Sequence, residues 1–162
     1  MRIFLLFLSF SVFGNEITGF WRSYDDKTNK PQMVVAIYEH KGFCYGRIVG
    51  LYNKKEVVAE TLEKPFSKAP GIIDDPYYCG LDLIYNLKQS GRKFYGKIVD
   101  PEKGNIYDAE VWRKGQDLIV RGKLLFFGRS LTWYPFPEED FNRDFPQPQT
   151  SEFIPKIPLI KE

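Results

Sequence analysis

Residues 92–124 read RKFYGKIVDPEKGNIYDAEVWRKGQDLIVRGKL, and three strands separated by two turns are legible in them. Gly96 and Ile98 alternate with Tyr95 and Lys97, so an extended chain places the charged member on one face and the apolar member on the other. Asp100 to Asn105 then supply Pro101 and Gly104, and Lys114-Gly115-Gln116 supply a second glycine, the residues that tight hairpins need for their fixed or positive φ. The stretches on either side, Arg92 to Val99, Asn105 to Arg113 and Asp117 to Leu124, are rich in β-branched and aromatic residues.

The same rhythm extends in both directions. Ile17 to Tyr24, Gln32 to Glu39, Gly42 to Leu51, Leu81 to Leu87 and Arg129 to Tyr134 read as further strands, and helix-period runs are nearly absent. Eight consecutive strands with mostly short turns predict an all-β fold, an eight-stranded antiparallel up-and-down barrel, because closure removes the edges that invite aggregation. Tyr45-Gly46-Arg47-Ile48-Val49 echoes Tyr95-Gly96-Lys97-Ile98-Val99. Alternation sets Gly46, Ile48, Gly96 and Ile98 inward, where a glycine permits sharp coiling or leaves room for a ligand.

Two segments break the rhythm. Tyr52 to Gly80 is too long for a bare loop. Its Lys54 to Lys64 portion predicts a short helix with Val57, Val58, Thr61 and Leu62 on one side, and the whole predicts a cap over one barrel mouth. Pro135 to Glu162 holds six of the 11 prolines together with Phe136, Phe141, Phe145, Phe153 and Ile154. Proline blocks regular pairing there, yet so apolar a segment is not a solvated tail. It is expected to dock on the barrel or on a partner.

At the other end, Arg2 precedes eleven almost wholly apolar positions and then Gly14, the form of a secretory signal peptide and about half the roughly 20 residues of a spanning helix. The expected organisation is therefore a signal peptide over 1–14, a barrel over 15–134 and an extension over 135–162, in a periplasmic or secreted protein without a transmembrane span after cleavage. Basic and acidic residues number 23 and 21 and are interspersed, which offers no electrostatic case for nucleic acid or an anionic membrane surface.

Chemistry is sparse. There is no Gly-x-Ser-x-Gly elbow, and the one histidine, His40, falls at a hairpin turn. Acids are paired at Asp25-Asp26, at Asp74-Asp75 and across Glu138-Glu139-Asp140, while Asp100 and Glu102 share a turn. None has the spacing of a calcium loop, and acids in loops are ordinarily solvated charge. No catalytic residue, cofactor or metal site is read. Cys44 and Cys79 can close a disulfide loop of about 36 residues, worth roughly 3 to 4 kcal/mol, or remain buried small hydrophobes. Tyr38, Tyr85, Phe94, Tyr107 and Trp133 fall in strands and are the candidates for lining an apolar cavity; packing a solid core is the equal alternative.

Gly19-Phe20-Trp21 has the Gly-x-Trp form that opens lipocalin-like barrels. Asp26 to Gln32, Tyr45-Gly46-Arg47-Ile48, Asp100 to Ala109, Leu118 to Gly122 and Gly128 to Trp133 follow in an order that resembles the bacterial DUF2147 family over about Gly19 to Trp133. The resemblance implies an exported calycin-type barrel without an assigned activity. Carried over by position, it makes Trp21 and Arg129 the pair that closes one end of the barrel, cation over indole. The function expected is non-catalytic binding of an apolar or amphipathic, lipid-like molecule. The alternative is a cell-envelope interaction module that uses the barrel as scaffold and the C-terminal segment as its contact, in which case deleting Phe141 to Glu162 leaves the barrel intact.

Overall fold

The structure is a computed structural model and describes residues 16–124 and 127–162; the expected signal peptide lies outside the described residues. All eight expected strands are present. In chain order they are β1 (Gly19–Tyr24), β2 (Pro31–His40), β3 (Phe43–Tyr52), β5 (Asp82–Ser90), β6 (Lys93–Asp100), β7 (Asn105–Lys114), β8 (Asp117–Leu124) and β9 (Phe127–Pro135). Each pairs antiparallel with its neighbours, and β1 pairs with both β2 and β9, so the sheet closes.

The ninth strand corrects the sequence reading. Val58–Thr61 forms β4, which pairs with the end of β3 through Gly50–Thr61 and Leu51–Glu60, where a helix over Lys54 to Lys64 was expected. The apolar residues that suggested one helical side are consecutive β-branched positions, Val57 and Val58, which favour extended chain. An Asn53 turn folds the chain back onto β3, its side chain accepting from the Lys55 and Val57 amides at 2.9 and 3.2 Å.

The inward face follows the alternation. Trp21, Val35, Ile37, Cys44, Ile48, Leu87, Phe94, Val111, Leu118 and Trp133 form one buried cluster. Trp21, Ile37, Cys44, Phe94, Leu118 and Trp133 of this cluster lie toward the end where β1 begins, beneath the turns that follow His40, Ser90 and Lys114. The turns after Tyr24 and Asp100 mark the opposite mouth. There the long connection crosses the rim: the Gly71 amide donates to the Pro101 carbonyl at 2.9 Å, and Ala69 and Ile72 join the core cluster. The expected cap over one mouth is thus built from the second half of the connection.

The echoed glycines serve coiling. β5 carries register shifts on both sides of Ile84 and a positive φ of 54° at Asn86. This irregular strand presses on its neighbours so closely that a Cβ on Gly96 would stand 2.6 Å from the Tyr85 carbonyl oxygen and 2.8 Å from that of Asn86. Because the obstacle is backbone, Gly96→Ala is expected to cost about 2–3 kcal/mol, read as a lowered denaturation midpoint with unchanged m-value.

The outer face of β2 and β3 is also apolar, and this explains why both faces of Gln32 to Glu39 read as hydrophobic. Val34, Ala36 and Val49 are buried beneath Phe136 and Phe145, with Phe141 and Phe153 packed alongside. Residues 136–162 therefore strap across the outside of the barrel in cis. Gly50 makes the seat, since a Cβ there would come within 2.9 Å of the Phe145 ring. The strap ends beside the connection, where the Ile73 amide donates to the Leu159 carbonyl at 2.8 Å and the Lys161 amide to the Gly71 carbonyl at 3.0 Å.

Candidate functional site

The inner faces of β6 to β9 line a cavity of about 520 Å³ at the mouth marked by the turns after Tyr24 and Asp100. Its walls are Ile98, Tyr107, Val120 and Leu131; Asp100 and Arg129 stand at its rim. Gly122 supplies much of the space. It lies opposite Ala109 and Arg129, and a Cβ built on it meets only Ile98 and Tyr107 carbon atoms at 3.5 and 3.7 Å, ordinary contact distances. A second hollow of about 360 Å³ lies on the β2–β3 side of the same end, with Met33, Ile48, Leu51 and Leu83 in its lining, and it shares Asp100.

Of the five aromatic cavity candidates, only Tyr107 lines the larger cavity. Phe94 and Trp133 are in the solid core toward the other end. Tyr38 and Tyr85 lie outside the barrel, in a separate buried cluster with Tyr45 against which Phe153 packs. Of the wall residues missed as site residues, Ile98 was read only as inward-facing, and Gly122 and Leu131 were not singled out; inward glycine was the usable signal, but it was read at Gly46 and Gly96 and not at Gly122.

The closing pair also needs correction. Trp21 is buried at the end where β1 begins, its indole N–H donating to the Ile17 carbonyl at 2.9 Å. The guanidinium over its ring is that of Arg113, 5.2 Å from the centroid, which also donates to the Glu16 carbonyl at 2.8 Å. Arg129 begins β9 at the opposite mouth and pairs with Asp26. Alternation does set Arg129, Leu131 and Trp133 on one face, but Pro135, the residue of β9 level with Trp21, lies six positions beyond Arg129 along the strand. Arg113→Ala is expected to lower stability by about 1 kcal/mol and Arg129→Ala to leave the melting temperature nearly unchanged, as differential scanning calorimetry would show.

Cys44 and Cys79 are buried thiols with no disulfide between them. Cys44 pairs with Leu87 at the start of β3, whereas Gly80 bonds the Ile48 carbonyl, four residues or about 13 Å farther along the strand. That exceeds the roughly 7 Å Cα separation a bridge tolerates. Burial, with Glu60 nearby, pushes the Cys79 thiol up to about 12, so it stays protonated.

At least one acid of each group is engaged in structure. Asp25 accepts from the Lys27 and Thr28 amides, both at 2.9 Å, and Asp100 from those of Glu102 and Lys103 at 3.0 and 3.1 Å. Asp75 pairs with Lys161 at 2.5 Å and Asp140 with Arg22 at 3.2 Å. Among the described residues no group of three or more His, Cys, Asp or Glu side chains could hold a metal ion.

A buried ion pair holds the strap. Asp82 has no exposed side-chain surface and accepts from Arg47 Nε at 3.1 Å, Arg47 Nη2 at 2.9 Å, the Tyr38 hydroxyl at 2.8 Å and the Lys156 amide at 3.0 Å. Arg47 donates further to the Ile154 carbonyl at 2.8 Å and lies 4.4 Å above the Phe153 ring. Burial and the adjoining carboxylate raise the Tyr38 hydroxyl well above the ordinary phenol range, so it is a permanent donor here. Arg47 thus faces outward as alternation requires, under the strap and away from solvent.

A family model described as an uncharacterised protein conserved in bacteria, DUF2147, matches residues 19–134. The chain belongs to the DUF2147 family. This DUF2147 barrel is also similar to a solved structure, HP1028 from the human pathogen Helicobacter pylori, titled as belonging to the lipocalin family. The TM-score is 0.59 at 19% identity, covering 78% of this chain and 92% of that one. At that identity the likeness is one of fold, and it agrees with the eight-stranded closure. Comparison with curated proteins finds no match. The family match stops at residue 134, so the strap over 136–162 lies outside it.

Proposed function

We propose that this protein is an exported carrier, periplasmic or secreted, that holds an apolar or amphipathic small molecule in the mouth of its barrel without transforming it. The observation that carries the reading is the cavity of about 520 Å³ walled by Ile98, Tyr107, Val120 and Leu131, set in a lipocalin-like barrel. Its volume falls within the roughly 300–1,000 Å³ of ordinary small-molecule sites, and its apolar wall with a few polar groups at the rim suits a lipid-like body. At this mouth Asp100 and Asp25 cap turns and Asp26 pairs with a cation, so these acids are held in structural roles. Binding without chemistry is the function those residues favour.

Gly122 offers the direct test. A leucine there has room for its Cβ and sends its remaining carbons into the cavity. Native mass spectrometry of protein purified without detergent, joined to titration with an environment-sensitive apolar dye, should show a bound mass or dye in the parent. Gly122→Leu should lose at least about tenfold in dye affinity while retaining its melting temperature. Equal binding by both proteins would sink the proposal.

The reading in which the C-terminal segment is the contact for an envelope partner gains no such support. Its phenylalanines are already spent on Val34, Ala36 and Val49 of the same chain.

A further inference from the structure

The seam between β1 and β9 is the weakest line in the barrel. Only Trp21–Pro135 and Arg22–Tyr134 are paired across it, and above them the two strands run toward the mouth without further register. One residue beyond the last pair, the same register makes Ser23 and Trp133 level with each other. Both face inward: Ser23 follows Trp21 by two along β1 and lies opposite Met33 of β2, and Trp133 lies opposite Leu118 of β8. Each residue is 2% exposed, and neither the Ser23 hydroxyl nor the Trp133 indole N–H has a hydrogen-bond partner in the protein. Trp21 shows the contrast, since its indole is satisfied by a strand-end carbonyl.

Two buried donors left without acceptors, from opposite sides of one seam, are rarely accidental, because each costs free energy unless something accepts from it. The next inward residue of β9 toward the mouth is Leu131, part of the cavity wall, and it lies opposite Val120, also in that wall. The donors therefore sit one layer below the cavity. We infer that they form the inner anchor of the ligand site, taking a neutral acceptor oxygen such as a ketone, ester or ether while the apolar remainder fills the cavity above. A carboxylate does not suit this depth: the residues of the anchor bring no cation, and the rim arginine, Arg129, lies four residues away along β9. An unpaired charge buried there would cost far more than two hydrogen bonds return.

This inference rests on the carrier reading, and its test separates the two. Methyl octyl ketone, decane and decanoate share a chain length and differ in their oxygen. With uniformly labelled protein, the indole N–H resonance of Trp133, assigned through Trp133→Phe, should move downfield on adding the ketone and stay in place with decane. Ser23→Ala removes one oxygen atom and should weaken the ketone about fivefold to tenfold while leaving decane unaffected. If the ketone binds the parent and Ser23→Ala equally and the Trp133 resonance stays still, the anchor is overturned and the carrier reading survives. If none of the three probes binds the parent, both fall together.

Discussion

Asp82→Ala is expected to destabilise the protein by about 3–5 kcal/mol, the range for breaking a buried ion pair from one side. The size follows from what remains. Arg47 keeps its charge under the strap with only the Tyr38 hydroxyl and the Ile154 carbonyl in reach, and the Lys156 amide and Tyr38 hydroxyl lose their acceptor together. For a chain of this size the loss should lower the melting temperature by roughly 10 °C. Replacing both charges, Arg47→Met with Asp82→Leu, should recover a good part of it, since a well-packed apolar pair is often as stable as a buried salt bridge. A single variant as stable as the parent would show that the strap is held by its phenylalanines alone.

Deleting residues 141–162 is expected to be the more severe change. It leaves Phe136 as the strap's one phenylalanine over Val34, Ala36 and Val49, removes the buried Phe145, and opens the Tyr38, Tyr45 and Tyr85 cluster by taking away Phe153. Each large apolar side chain returned to water costs about 1.5–3 kcal/mol, against a total stability of order 5–15 kcal/mol. The shortened protein should be recovered largely as aggregates, or should bind a hydrophobic dye in its soluble fraction. This reverses the outcome expected when the segment was read as a contact for a partner. A monodisperse barrel with the parent's melting temperature would restore that reading.

Local chemistry wrote the barrel plainly. Turn residues such as Pro101, Gly104 and Gly115, and the two-residue alternation between them, depend only on neighbours in sequence, so the eight barrel strands could be placed within a few residues, while the short β4, which carries no such punctuation, was read as helix. The site depends on which remote side chains meet, and there alternation was ambiguous. Tyr38 and Tyr85 look like cavity residues because they are aromatic and in strands, but bulges around Ile84 and Asn86 and an apolar outer wall on β2 place them outside. Arg113 and Arg129 are equally plausible partners for Trp21 by face; only their positions along the strands, Arg113 near the end of β7 and Arg129 near the start of β9, separate them. The even balance of charge likewise hid Asp82, one acid among 21, as the residue on which the strap turns.

The strap also imposes an order in time. The wall it covers is made of β2 and β3, yet Phe145 and Phe153 follow that wall by about a hundred residues, a separation whose closure is slow to achieve. As the chain emerges from its N-terminal side, the sheet can close while Val34, Ala36 and Val49 still face water. Between closure and docking the molecule is a finished barrel with an unfinished surface, prone in that interval to stick to other chains. The last contacts formed are then those that the strap brings to an ion pair already in register within the barrel, the Lys156 amide on Asp82 and the Ile154 carbonyl on Arg47, and their closing is the step after which the protein is safe from its own kind.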